Sequence, residues 1–269
     1  MPAIDLARLR KQTTRLADFF FLPDEFQKYL GEILDFYVNH TLRTAQNVAP
    51  LSNLPTYRTP PLVLRAIQNE LAPLANQNPS TALELADRLW DMGYLEPRLL
   101  AAFLLGQIPP QEERLLARLT AWTGQIRDPS VRAALLTTSL ARLRKETPHQ
   151  FFELISEWLH PSRQRTWSNG IQALLPLLSD PNFDNLPVVF TLVEPILKAA
   201  PTTLQNDLQE LIVSLYRASP NETIYFLQQI LQNTTHPMAA ITLRRILPSF
   251  PAGLQSELRP LLRTPTKGG

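Results

Sequence analysis

The sequence predicts an all-α fold: about six helix pairs stacked as an α-solenoid, preceded by an N-terminal helical extension. Three observations carry this. Seven small polar residues or histidines stand directly before a proline and a leucine-rich amphipathic stretch: Asn78-Pro79, Asp128-Pro129, Thr147-Pro148, His160-Pro161, Asp180-Pro181, Ser219-Pro220 and His236-Pro237. Proline suits the first helical turn because its missing N–H finds no partner there and its φ is already helical. Strand signals are missing, with no Asn-Gly or Asp-Gly turn and no sustained apolar–polar alternation. The hydrophobic residues, 44% of 269, are dominated by leucine, which loses little rotamer freedom in a helix.

The elements follow in order. Met1 to Arg15 is amphipathic and carries Asp5, without the apolar stretch of a signal peptide. From Asp24, the residues Phe26, Tyr29, Leu30, Ile33, Leu34, Tyr37 and Val38 recur at helical spacing. Residues 1–47 therefore read as a helical extension. Pro50, Pro55, Pro60 and Pro61 make residues 48–61 an irregular linker. The array proper spans 62–265. Its helices are expected at 62–76, 80–92, 96–107, 110–124, 129–145, 148–160, 162–179, 182–199, 202–217, 220–233, 237–248 and 252–263. Capping boxes are expected at Ser219 with Glu222, Thr81 with Glu84 and Thr202 with Gln205. Two-helix units of about 35–45 residues are the period of HEAT-like repeats.

Composition excludes several chemistries. No cysteine is present, so disulfides, thiolate ligands and a cysteine nucleophile are ruled out. His40, His149, His160 and His236 are scattered without a partner at i, i+4, so no metal site is expected. The eight glycines form no phosphate-cradling loop, so no cofactor is expected. No stretch approaches the length of a membrane span. A cytoplasmic location follows as the expectation. Asp24-Glu25 and Glu112-Glu113 sit at helix starts, where they offset the helix dipole. Asp87, Asp91 and Glu96 surround Trp90, but nothing in the sequence supplies a partner to turn one into a general base.

The net charge is only +2, but 21 arginines stand against five lysines. The guanidinium fork matches phosphate and carboxylate geometry. Trp90, Trp122, Trp158 and Trp167 all fall in a middle region rich in arginine, including Arg127, Arg132, Arg163 and Arg165. In a curved stack, arginines from successive pairs would follow a phosphate backbone, and Trp167 would stack on a sugar or base. The opposite reading makes the tryptophans core and the arginines a wet outer face. Arg244-Arg245 is a second basic pair, suited to phosphate or to the end of its own helix.

Ala82-Leu83-Glu84-Leu85-Ala86-Asp87-Arg88-Leu89-Trp90, followed by Glu96-Pro97-Arg98-Leu99-Leu100-Ala101-Ala102, resembles the early helix pair of the HEAT-like alkylpurine DNA glycosylases, the DNA alkylation repair family. Leu154-Ile155-Ser156-Glu157-Trp158-Leu159 and Arg165-Thr166-Trp167 are similar to that family's "I-x-x-W … n-x-W-x-R-R" segment. The resemblance spans about residues 60–250. It implies a basic channel on duplex DNA and excision of alkylated purines. The family's catalytic signature, "W-W-D-x-x-D" with the arginines of "W-x-R-R", departs here. Trp167 is followed by Ser168-Asn169-Gly170, and the helix that should carry the catalytic acid reads Asp128-Pro129-Ser130-Val131-Arg132. Asp128 fits an N-cap better than a catalyst. The expectation is a DNA-binding protein of the alkylation-repair type without glycosylase activity, contacting duplex DNA through Arg127, Arg132, Arg163, Arg165, Trp167, Arg244 and Arg245; no catalytic residue is assigned. The alternatives are a scaffold for a protein partner, or an active glycosylase with a displaced acid such as Asp128 or Asp91.

Overall fold

The structure, a computed structural model, describes residues 4–38, 52–233 and 237–263, and among these every regular element is helical. The helices are α1 (Leu6–Asp18), α2 (Pro23–Phe36), α3 (Pro61–Gln77), α4 (Pro79–Asp91), α5 (Leu95–Gln107), α6 (Glu113–Gln125), α7 (Pro129–Thr137), α8 (Ala141–Glu146), α9 (Pro148–Trp158), α10 (Trp167–Leu178), α11 (Leu186–Ala199), α12 (Gln205–Ala218), α13 (Pro220–Asn233), α14 (Pro237–Ile246) and α15 (Ala252–Arg263).

Five of the seven expected prolines open an α-helix: Pro79, Pro129, Pro148, Pro220 and Pro237. The other two lie in turns, because the preceding side chain bonds too close by. Asp180 Oδ1 accepts from the Asn182 amide at 2.9 Å, and His160 Nδ1 meets the Ser162 hydroxyl at 2.8 Å. Each closes a local turn that competes with helix initiation. The expected helix 129–145 is two helices. Ser139 turns its hydroxyl away to the Ala102 carbonyl of α5, 2.7 Å away, and the chain bends between α7 and α8. The Thr202 box is not formed: Thr202 opens a 3-10 turn instead, and no side chain caps α12. Thr81 lies inside α4, whose cap Asn78 donates backwards to the Leu74 carbonyl.

The chain forms two compact units, Met1–Phe151 and Phe152–Gly269. In the first, α1 packs on α3, α3 on α5 and α5 on α7, while α2 packs on α4 beside them. The largest contact joins α4 to α5. Ile67, Leu71, Leu83, Leu85, Leu100, Leu104 and Leu119 fill the space between the rows. At the α5–α7 crossing a glycine is required, since a Cβ on Gly106 would collide with the Thr138 carbonyl. In the second unit α10 packs on α12 and α12 on α14, with α11, α13 and α15 stacked likewise. Its core is built on Trp158, Ile171, Leu174, Val193, Leu211, Leu215 and Leu227. Alternate helices thus stack on one another in each unit.

Candidate nucleic-acid interface

In the first unit the expected contacts Arg127 and Arg132 flank Asp128 at the start of α7. Arg127 is exposed, and no acid among the described residues pairs with it. Arg132 is half-buried and already engaged. Asp128 between them is only 3% exposed. One carboxylate oxygen takes the Val131 amide at 3.0 Å, capping α7, and the other takes the Asn53 amide at 2.6 Å. Burial alone would raise its pKa, but the Val131 amide, the Ser52 hydroxyl and the Asn53 and Ser130 amides together hold it below the ordinary value. A carboxylate so supplied with donors is a poor proton acceptor.

Asn53 belongs to an extended strap, residues 52–60, that a second buried acid also grips. Glu96, in the first turn of α5 and 3% exposed, accepts from Thr56 Oγ1 at 2.6 Å, Tyr57 N at 3.0 Å and Thr59 N at 3.3 Å. The Leu95 amide closes the clasp on the Pro55 carbonyl at 2.9 Å. Sequence reasoning saw this stretch only as an irregular linker. A glutamate beside Pro97 among apolar residues was the signal that it holds something.

The other acids of this region are paired or exposed. Asp87 forms a bidentate pair with Arg118, at 2.7 and 2.9 Å, which raises the Arg118 pKa above its ordinary value. Asp91 is exposed. Arg114 pairs with Glu112 at 3.0 Å, and Arg142 bonds Glu146, Asn76 and the Gln107 carbonyl. Arg88 faces Asp24 at 3.9 Å. Trp90 and Trp122 stack on each other at 4.1 Å, with Arg98 over the Trp90 ring at 4.9 Å.

In the second unit Arg163 pairs with Glu157. Arg165, two residues on, is exposed and meets no acid among the described residues. Trp167 is 3% exposed, with its indole N–H donated to the His160 carbonyl at 2.9 Å. The ring expected to stack on a nucleotide is buried in this structure, because a large ring at the first position of α10 gains more from the core than from solvent. All four tryptophans are core residues. Arg244 donates to the Leu262 carbonyl at 2.6 Å, at the end of α15, and Arg245 reaches Gln205 at 3.4 Å. The two point to different neighbours, as adjacent helical residues must.

A family model for DNA alkylation repair enzymes matches residues 58–245, well over half of the chain. The chain belongs to this DNA alkylation repair family. The matched stretch of this family member runs from the strap to the second residue of the Arg244-Arg245 pair. No curated protein and no solved structure matches it. Among the described residues of this family member, no group of three or more His, Asp or Glu is arranged to hold a metal ion, and no helix is long and apolar enough to cross a membrane. His40 and His236 lie outside the described residues.

Proposed function

We propose that this alkylation-repair family member is a HEAT-like α-solenoid that binds duplex DNA through unpaired arginines and does not excise bases. The array runs over 62–265, after an extension (1–47) and a linker (48–61). Stacking of alternate helices within each unit supports the solenoid. Arg127 and Arg165 are its foremost phosphate contacts, since neither has a carboxylate partner among the described residues. Arg132, Arg163, Arg244 and Arg245 contribute only where DNA displaces their present partners.

The observation that carries the non-enzymatic reading is the state of Asp128. It is the one acid near the place where the family resemblance expects a catalyst, and its oxygens are taken by backbone amides and the Ser52 hydroxyl. A base or nucleophile needs a lone pair directed at the substrate. Incubation of the protein with methylated duplex DNA, followed by chromatography of released bases, is expected to give no 7-methylguanine or 3-methyladenine above the protein-free rate. Release above that rate overturns the reading. If release occurs and Asp128→Asn leaves it unchanged, the catalyst lies elsewhere.

A second reading, a scaffold for a protein partner, is favoured by the number of arginines already neutralised: Arg88, Arg114, Arg118, Arg142 and Arg163 all face carboxylates. Fluorescence anisotropy on a labelled duplex separates the two. Binding that weakens steeply with salt supports DNA. Absence of binding at low salt, with a defined protein recovered by pull-down, selects the scaffold.

A further inference from the structure

Arg58 is the only non-glycine residue besides Ala200 with a positive φ among the described residues, at +56°. Ala200 ends α11, where a left-handed residue is ordinary. Arg58 lies in no helix end. It sits in the strap, where the left-handed conformation is strained for a residue with a side chain. Glycine would meet the same need without that strain.

The conformation is imposed from below. Glu96 holds the Tyr57 amide on one side of Arg58 and the Thr59 amide on the other, while the Arg58 amide itself donates to Thr56 Oγ1 at 3.0 Å. Three successive amides are thus turned inward onto one buried carboxylate and its hydroxyl partner. Pro60 and Pro61 then lead straight into α3. The backbone is braced at both ends, and the Arg58 side chain is exposed. No acid among the described residues pairs with its guanidinium.

Beside it lies an aromatic surface. The Tyr57 and Tyr94 rings lie against each other, tilted by 32° with centroids 4.7 Å apart, and Tyr94 stays 38% exposed at the α4–α5 turn. A guanidinium without an acid partner among the described residues, on a backbone braced at both ends and near a partly exposed ring, combines a cation with a flat aromatic face. We propose that this part of the strap is a preorganised DNA contact: Arg58 takes a backbone phosphate and Tyr94 lies against the adjoining sugar. The proposal rests on the DNA-binding reading above. It adds a contact that the arginine-rich middle of the sequence did not include. Preorganisation matters because an arginine whose backbone is fixed loses less freedom on binding than one on a loose loop.

The experiment is an anisotropy titration of a short fluorescein-labelled duplex at a series of salt concentrations, with wild type, Arg58→Ala, Arg58→Gly, Arg58→Lys and Tyr94→Ala. Loss of one phosphate contact should weaken binding about three- to tenfold near physiological salt and flatten the log K against log salt slope by about 0.9. Arg58→Ala and Arg58→Gly should both show this, and Arg58→Lys should keep the slope. Tyr94→Ala should weaken binding with the slope unchanged, since the ring carries no charge. Arg58→Gly should melt at or above the wild-type temperature, which separates lost contact from lost fold. Wild-type affinity and slope in both Arg58→Ala and Arg58→Gly would overturn the proposal while leaving DNA binding intact. No binding by the wild type at low salt would remove the DNA reading, and this contact with it. A lower melting temperature in Arg58→Gly would overturn the account of a strained, braced strap.

Discussion

Asp128 is buried and charged, a combination that survives only when the lost water is replaced by donors. Here the replacements come from two directions: the Val131 amide of its own helix, and Ser52 and Asn53 of the strap. Cutting the side chain back to Ala removes the cap of α7 and leaves the Asn53 amide without its acceptor. Asp128→Ala should therefore cost about 2–4 kcal/mol, the sum of a lost cap and a stranded buried group. Asp128→Asn keeps one acceptor oxygen and should cost less. The pH dependence has a definite sign. A carboxyl whose folded pKa lies below its unfolded value contributes its full stability above the unfolded pKa of about 3.9, and loses it as the pH falls through the folded value. The gap between wild type and Asp128→Asn in urea melts should be full near about pH 6 and shrink as the pH falls below about 3.9. A gap that widens in acid would contradict the direction of the shift. The cap was legible in the sequence, because Asp-Pro before an apolar run has a local cause. The strap was not: Asn53 and Asp128 are 75 residues apart, and no local pattern joins them.

At the scale of the element, helix starts marked by proline were readable because the signal and its effect lie within four residues. Breaks made by another helix were not. The bend between α7 and α8 exists because Ser139 bonds across to Ala102 and because α5 presses its Gly106 against the backbone of Thr138. Nothing within residues 129–145 announces either partner. Three glycine substitutions test how much of the packing rests on such close approaches. Gly106→Ala drives a methyl into main chain that cannot rotate away, so α5 and α7 must part, at about 1–3 kcal/mol. Gly124→Ala, on an exposed part of α6 with open space around it, should instead stabilise by up to about 1 kcal/mol, the difference in helix propensity. Gly170→Ala should fall between them: its obstacle is the side chain of Leu159, which can move. Urea melts of the three variants should rank Gly106→Ala below Gly170→Ala, and Gly170→Ala below Gly124→Ala. Equal stability of Gly106→Ala and Gly124→Ala would mean the α5–α7 contact is slack.

For the whole molecule, charge matters less by its sum than by its pairing. The formal excess is two positive charges, and an arginine already matched by a carboxylate brings no counterion release when a phosphate arrives. The sequence showed where arginines are dense; it could not show which are spent, because Asp87 and Arg118 lie 31 residues apart, and Arg142 and Asn76 lie 66 apart. The two classes should behave differently on DNA. Arg127→Ala and Arg165→Ala should each flatten the salt slope by about 0.9 and leave the melting temperature unchanged. Arg118→Ala should leave the slope nearly untouched and lower stability instead, since it abandons the half-buried Asp87. The sharper test works in the other direction. Glu157→Gln removes the acid that holds Arg163 and frees a guanidinium two residues from Arg165. If exposed arginines of this unit meet phosphate, that change should tighten binding and steepen the slope by up to about 0.9, with no arginine added to the protein. Removal of an acid that left affinity and slope as they were would mean that DNA, where it binds, does not touch this turn, and Arg165 would leave the interface with Arg163.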